Sequence, residues 1–182
     1  IDFGGAQALF SFCLCQDCRK KGADSDIDID RMESQIQKEL DDIFQTGKTD
    51  TDLEQYLEKI EGLEKFIQVR QSVISSLLQE IKDAVDIELN FILMGNNITA
   101  GFAPKIINQI SDKVEILAYT SSTSQMEDMI RGKYQEIGSR EKLVVGYSVY
   151  GSSTPNAETL YNNVRVAVDI GVKHFAFYNY GI

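Results

Sequence analysis

The segment Leu143-Val144-Val145-Gly146-Tyr147-Ser148-Val149-Tyr150 decides the fold class of this chain. Its nearly continuous run of apolar residues is typical of a strand buried on both faces of a parallel sheet. A helix is predicted to follow, with Thr154 as N-cap and Pro155 as its first residue, and to end at Gly171. A second apolar run then covers 174–180. The pattern therefore predicts two parallel strands joined by a helix.

The same strand–helix pattern extends towards the N-terminus. Apolar runs predict strands at 87–94 and 114–119, and helices are predicted at 103–110 and 124–137. We interpret Ile1-Asp2-Phe3 as the end of a further strand. Five strands of this kind predict an α/β fold, namely the C-terminal five strands of a parallel (β/α)8 TIM barrel, which typically needs ~250 residues. The alternative is an open doubly wound parallel sheet.

We expect residues 1–182 to form a single α/β domain, with a cysteine-bearing loop and helix inserted at 13–50. Residues 19–30 are predicted to form a polar connector. A long helix that starts after Thr51 is expected to bend near Gly62, because glycine weakens a helix. Part of a barrel would leave two unpaired sheet edges, which proteins normally cover. We therefore expect a partner, either the N-terminal half of the barrel or a second copy of the chain.

The composition argues against two classes of partner. The chain has 28 acidic and 18 basic residues and a net charge of -10, whereas nucleic-acid binding needs clustered Lys and Arg. No apolar run reaches the ~18 residues of a membrane span, and no signal peptide is visible. We predict neither nucleic acid nor membrane as a partner. Free cysteines without a signal peptide favour a cytoplasmic location.

All three cysteines lie within six residues, in Cys13-Leu14-Cys15-Gln16-Asp17-Cys18. Their odd number and close spacing do not suit a secreted disulfide framework. Thiolates at this spacing on a loop can converge on one tetrahedral zinc ion, and a structural zinc site takes four ligands. We predict a structural zinc site at Cys13, Cys15 and Cys18, with a fourth ligand from Asp17, from a preceding segment or from a partner. The alternative is three buried thiols without metal.

The strand ends carry the candidate ligand-binding residues. Active sites of (β/α)8 barrels lie at the carboxyl ends of the strands. Asp2 lies at such a predicted strand end and is therefore the candidate catalytic acid, base or nucleophile. Aromatic rings can stack on a sugar ring, and hydroxyl and amide groups can bond its hydroxyls. We predict that the following residues bind substrate: Asn96, Tyr119, Tyr147, Tyr150, Tyr178, Asn179 and Tyr180. The alternative is that the tyrosines only fill the widening rim.

Two other titratable residues, Glu115 and His174, lie near the starts of their predicted strands. Strand starts lie at the edge opposite to barrel active sites. We therefore expect neither residue to be catalytic. No organic cofactor is predicted, since no G-x-G-x-x-G or Walker sequence is present.

An acid at a strand end, followed about ten residues later by Cys13-x-Cys15-x2-Cys18-Arg19, resembles the zinc-bearing β-galactosidases of the large (β/α)8 glycosidase clan. The closing segment Phe177-Tyr178-Asn179-Tyr180-Gly181 is similar to that of uncharacterised glycosidase-like barrel proteins. The resemblance implies that the cysteine loop follows the fourth barrel strand and that a fourth cysteine comes from earlier in the barrel. It also implies a glycoside hydrolase-like protein that acts on or binds a carbohydrate.

The chain departs from that clan at the catalytic positions. The clan uses a glutamate after the fourth strand, usually preceded by Asn, and a second glutamate on the seventh. Here Ile1–Gly5 holds no Asn-Glu pair and Val145–Tyr150 holds no carboxylate, although glycoside hydrolysis ordinarily requires two carboxylates. Two hypotheses follow: an enzyme in which Asp2 works with an acid from elsewhere, which we favour, or a carbohydrate-binding or scaffold protein without hydrolytic activity.

Overall fold

A computed structural model describes residues 9, 12–47, 53–93 and 101–178. The chain divides into two compact units. Unit 1 comprises Ile1–Ser76 and Gly95–Phe102, and unit 2 comprises Leu77–Met94 and Ala103–Ile182. The strand that we expect at Ile1–Phe3 lies outside the described residues.

Unit 1 is helical where it is described. Its helices are α1 (Gln16–Ala23), α2 (Ile29–Thr46), α3 (Leu53–Lys59) and the first part of α4 (Leu63–Ala84). Helix α2 is capped at its start by Asp28, whose carboxylate accepts a hydrogen bond from the Arg31 amide at 3.0 Å, and at its end by Gly47 in the left-handed conformation.

The polar connector predicted at residues 19–30 is wrong over its first part, because α1 occupies Gln16–Ala23. The only residue that α1 buries is Gly22. A Cβ atom there would lie 2.3 Å from Cδ1 of Ile29, so the glycine allows close packing against the start of α2. A helix whose contact residue is glycine has no apolar periodicity, and the sequence pattern therefore did not reveal it.

Helices α3 and α4 are separated by a short turn instead of the bend predicted near Gly62. Gly62 has a φ of +83°, a left-handed conformation that interrupts the helical hydrogen bonding. Around this turn lies the apolar core of unit 1. Its buried side chains come from α2, α3, α4 and the turn between α3 and α4, and include Met32, Ile36, Leu40, Tyr56, Ile60, Leu63 and Phe66.

Unit 2 is an α/β unit. Its strands are β1 (Asn90–Leu93), β2 (Lys113–Leu117), β3 (Leu143–Ser148) and β4 (His174–Tyr178), and its helices are α5 (Pro104–Ile110), α6 (Thr123–Ile137) and α7 (Ala157–Ile170), besides the end of α4. The strands form one open sheet in the order β1-β2-β3-β4, and all neighbours are parallel. The α/β fold with a parallel sheet is confirmed.

Local hydrogen bonds explain where α7 begins. Thr154, the predicted N-cap, donates its hydroxyl proton to the Ser148 carbonyl instead. Asn156 caps the helix, since its Oδ1 accepts from the Thr159 amide at 2.8 Å. The prediction of the N-cap was therefore wrong by two residues. The end of the helix at Gly171, with a φ of +99°, is confirmed.

The sheet has two unlike faces. Side chains alternate along a strand, and residues in register across parallel strands share a face. One face, the apolar face, carries only hydrophobic residues: Phe91, Leu93, Val114, Ile116, Leu143, Val145, Tyr147, Phe175 and Phe177. The other, the polar face, holds the remaining strand residues: Asn90, Ile92, Lys113, Glu115, Leu117, Val144, Gly146, Ser148, His174, Ala176 and Tyr178.

The helices of unit 2 follow one another in space as in the chain, with α5 against α6 and α6 against α7. Ile107 of α5, Met126 and Ile130 of α6, and Ala167 of α7 are fully inaccessible to solvent. In the part of the chain that the structure describes, no helix combines the length and hydrophobicity needed to cross a membrane.

Candidate metal centre and ligand-binding face

The three cysteine sulfurs of unit 1 converge. The Sγ atoms of Cys13, Cys15 and Cys18 all lie within 4.8 Å of one another. A tetrahedral zinc ion with Zn–S bonds of ~2.3 Å places its sulfurs about 3.8 Å apart, so small rotamer adjustments bring these atoms to ligand distance. The helix start makes this possible, since Cys15 is the N-cap of α1 and Cys18 lies in its first turn. The arrangement fits three ligands of one thiophilic metal ion.

The two thiols at the start of α1 differ in acidity. The pKa of Cys15 is lowered to about 7, mainly by a hydrogen bond from the Cys18 backbone amide and then by the neighbouring thiols. The pKa of Cys18 is raised to about 12, mainly by burial. Metal ions bind thiolates, so Cys15 supplies a ligand near neutral pH, whereas a metal must displace the proton of Cys18.

Arg19 holds the cysteine loop against the start of α2. Its Nε donates to the carbonyl oxygen of Leu14, between Cys13 and Cys15, at 3.0 Å. Its Nη1 donates to Asp30 at 2.9 Å and its Nη2 to Glu33, and the bond to Glu33 is the main reason why the pKa of Arg19 is raised. Groups that hold ligand-bearing backbone in place tune metal affinity.

Asp17, one of the predicted sources of a fourth ligand, does not join the group of sulfurs within the described residues. Its side chain lines a neighbouring groove of about 240 Å³ together with Cys18, Phe66 and Arg70. The Arg70 guanidinium lies 5.5 Å from the centre of the Phe12 ring. Asp17 thus belongs to the surface beside the sulfurs.

Glu115 is the centre of a buried polar cluster on the polar face of unit 2. It is the middle residue of β2 and is 1% exposed. One carboxylate oxygen accepts from Nδ2 of Asn90 at 2.6 Å, and the other accepts from the Tyr178 hydroxyl. Among the described residues, no cation forms a salt bridge with it. The cluster therefore connects β1, β2 and β4 through one carboxylate.

Gly146 provides the space for this connection across β3. A Cβ atom at this position would lie 2.7 Å from Oε1 of Glu115 and 3.0 Å from Cε2 of Tyr178. The Tyr178 ring therefore reaches Glu115 directly above the backbone of β3. A larger residue at this position would force the Glu115 carboxylate or the Tyr178 ring to shift.

The amino edge of the same face carries a second pair. Nζ of Lys113 lies 2.8 Å from Nε2 of His174, and Nζ also donates to the Glu141 carbonyl at 3.2 Å. His174 is the first residue of β4, at the strand start where the sequence placed it. Glu115, in contrast, lies at the centre of β2. Its side chain contacts Tyr178, which is the last residue of β4.

No protein-family model, no curated protein and no solved structure matches the chain. The resemblance to zinc-bearing glycosidases is therefore an expectation that these comparisons do not test.

The structure brings some of the predicted ligand-binding residues to one edge of the sheet. Tyr119 and Tyr150 are the second residues after the ends of β2 and β3, are 36% and 44% exposed, and so lie with Tyr178 at the carboxyl edge. Tyr147 lies instead on the apolar face, 2% exposed and stacked on Phe177 at a centroid distance of 5.6 Å. The remaining predicted site residues lie outside the described residues: Asp2, Asn96, Asn179 and Tyr180.

Asn90, Glu115 and Gly146 were not predicted from the sequence as members of one cluster. One signal was available: the polar residues Lys113 and Glu115 alternate with Val114 and Ile116, which indicates a strand whose first half has one polar face. The contact to Tyr178 could not be found in this way, because it depends on the packing of strands 63 residues apart.

Proposed function

We propose that the chain is part of a glycoside hydrolase-like (β/α)8-barrel protein that binds a sugar at the carboxyl edge of its sheet. The observation that supports the proposal best is the contrast between the two sheet faces. A barrel has an outer strand face covered by helices and an inner face that can hold polar side chains. Strands of a doubly wound sheet are covered by helices on both sides and are apolar on both.

The strand order supports the same proposal. Four consecutive parallel strands that are neighbours in the order β1-β2-β3-β4 are expected of a chain that winds in one direction, since crossovers are right-handed. The doubly wound alternative reverses its direction at a switch point. No such reversal occurs within the described strands.

The chemistry of the carboxyl edge suits a sugar. Tyr119, Tyr150 and Tyr178 offer aromatic faces and hydroxyl groups, and both kinds of group are common in sugar sites. The hydroxyls of Thr120 and Ser148 lie at the same strand ends. Asp2 remains the candidate catalytic carboxylate of an active enzyme.

One observation favours a second candidate, a carbohydrate-binding or scaffold protein of the same fold. In the described segments that follow β2 and β3, residues 118–122 and 149–154, no side chain is a carboxylate. Hydrolysis of glycosides by the usual mechanisms needs two. The two candidates share the ligand and differ only in turnover.

For unit 1 we propose a structural zinc ion bound by Cys13, Cys15 and Cys18. Three sulfurs lie close together, and the hydrogen bonds of Arg19 hold the loop that carries them. Both observations support a metal ion that prefers thiolate ligands, and zinc is the commonest structural ion with such ligands. When bound, it would cross-link the loop to the first turn of α1.

The experiment that tests the sugar proposal uses the intact protein with a panel of neutral monosaccharides and their aryl glycosides. Calorimetric titration measures binding, and release of the aryl group measures hydrolysis. Hydrolysis that is abolished in Asp2→Asn would support the enzyme. Binding without hydrolysis would support the non-catalytic candidate, and the absence of both would refute the sugar proposal.

A further inference from the structure

The sheet of unit 2 has two edges that another strand can extend. Among the described strands, β1 and β4 each have a neighbour on one side only. The backbone groups on the outer side of an edge strand need a partner or a covering segment. Because all four strands are parallel, a strand like β1 can add to β4 in the same direction in which β4 adds to β3.

The described part of unit 2 contains half the elements of a (β/α)8 barrel. It has four strands and four helical segments, namely the end of α4 and the helices α5, α6 and α7. Each strand is preceded by one of these helices. A barrel needs eight strands and eight helices. Two copies of this unit therefore supply the full number of both.

Exposed apolar side chains lie along both edges. Beside β1, the end of α4 and the residues after it expose Leu77, Ile81, Val85 and Ile87. Beside β4, the exposed apolar side chains are Tyr161, Val168 and Phe177. Their exposed fractions range from 37% for Val85 to 64% for Ile87. Apolar side chains clustered at two edges of one sheet indicate two surfaces that a partner covers.

The last helix of the row shows how β4 could be covered. Helix α7 packs against α6 on one side, and Tyr161 and Val168 share a face of α7 because they are two helical turns apart. Phe177 lies on the apolar face of the sheet, the face that helices cover in a barrel. A further helix placed over β4 would bury these three side chains.

The charges at the amino ends of the two edge strands are opposite. Residues 83–93 contain three acidic residues, Asp83, Asp86 and Glu88, and no basic residue. Residues 171–178 contain Lys173 and His174 and no acidic residue. Parallel pairing brings the amino ends of two strands together, so the start of β4 and the start of β1 are complementary in charge as well as in direction.

We propose that two copies of the chain pair about a twofold axis, with β4 of each copy beside β1 of the other, and so close an eight-stranded barrel. Helix α4 of one copy then lies over β4 of the other copy and buries Leu77 and Ile81 against Phe177. This inference rests on the barrel architecture of the proposed function and adds the partner, a second copy. The carboxyl rim combines residues of both copies, so each copy alone holds half of the proposed sugar site.

The test is the mass of the intact chain in solution, measured by sedimentation velocity over a dilution series. The expected mass is twice the chain mass of 20.4 kDa. Val168→Asp should raise the dissociation constant of the dimer at least about a hundredfold, because it buries an unpaired carboxylate at each of the two symmetric contacts. Val168 is exposed in a single copy, so circular dichroism should show an unchanged fold.

Met129→Asp is the matched control. Met129 is exposed on α6, which is flanked by α5 and α7 of its own copy. The same change of an exposed apolar side chain to a carboxylate should there leave the dissociation constant unchanged.

A charge exchange tests the direction of pairing. Lys173→Glu should weaken the dimer about fivefold, because it places like charges at the joined amino ends. Adding Glu88→Lys should restore the affinity. Lys173 also pairs with Glu141 of its own chain, but loss of that pair alone would not be rescued at position 88.

The outcomes separate the inference from the proposed function. A chain that stays a single copy at every concentration would overturn the inference and leave the edges to another segment or chain. A dimer that Val168→Asp does not weaken would overturn it as well, since the copies would then use another surface. Sugar binding by a single copy would refute the inference and leave the proposed function standing, whereas a dimer with the expected variant effects but no sugar binding would support the inference and refute the sugar proposal.

Discussion

The candidate sites of the two units differ in how far apart in the chain their residues lie. In unit 1 the three candidate metal ligands lie within six residues, and one helix start brings their sulfurs together. In unit 2 the polar cluster combines Asn90, Glu115, Gly146 and Tyr178, each from a different strand. The first site depends on local backbone geometry and the second on the register of the whole sheet. Substitutions in the first are therefore measured by zinc binding, and substitutions in the second by the stability of the sheet.

The largest effect is expected for Cys15→Ser. The wild-type protein should hold one zinc ion per chain, and the variant none after dialysis, because a structural site needs all its thiolates. Elemental analysis measures the zinc content. Asp17→Asn, a change beside the sulfurs that removes no sulfur ligand, should keep the zinc. Wild-type protein without metal after preparation in zinc-containing buffer would contradict the proposed site.

The next largest effect concerns unit 2. Gly146→Ala should reduce the free energy of unfolding by about 2 kcal/mol, because the added methyl group displaces the buried side chain of Glu115 and the partly buried ring of Tyr178. Urea denaturation measures the change. The control is Gly132→Ala in α6, where a Cβ meets nothing within 4 Å. That variant should be more stable by about 0.5–1 kcal/mol, since alanine favours helix. An equal loss of unfolding free energy in both variants would argue against a role of the cluster in stability.

A smaller effect is expected for Arg19→Met in unit 1. Loss of the bonds to Leu14, Asp30 and Glu33 should weaken zinc binding about tenfold, as for other residues that orient ligands. Competition with a chelator measures the affinity. Arg31→Met removes an exposed pair with Glu61 and should have no effect. Equal zinc affinities in wild type and Arg19→Met would show that the hydrogen bonds of Arg19 do not contribute to zinc binding.

The smallest effect is expected for the pH dependence of the stability of unit 2. The pKa of Asp112 is lowered, first by the hydrogen bond from Lys82 and then by that from the Leu89 amide. A carboxylate with a lowered pKa stabilises the fold above its ordinary pKa of about 4, and this stabilisation is lost as pH falls through the lowered value. Asp112→Asn should lower Tm by about 2 °C at pH 7. The difference from wild type should vanish near pH 2, whereas a constant difference would contradict the assignment.

The contrast between the units also explains what the sequence could predict. The cysteine cluster was predicted because its spacing is local, and the parallel strands because each is a separate apolar run. Helix α1 was missed, since its buried residue is Gly22, and the cap of α7 was misplaced, since Thr154 bonds to Ser148 instead. The role of Glu115 depends on which strands are neighbours, and no single segment carries that information.

The most direct test of the sugar-binding edge is a titration of the intact protein with a neutral glycoside, followed by NMR of the tyrosine ring signals. Tyr119, Tyr150 and Tyr178 at the carboxyl edge should shift on binding. Tyr134, in the last turn of α6, and Tyr56, buried in unit 1, should not. Saturable shifts of the first three without shifts of Tyr134 and Tyr56 would support the proposed function, and shifts absent from all three at saturating glycoside would contradict it.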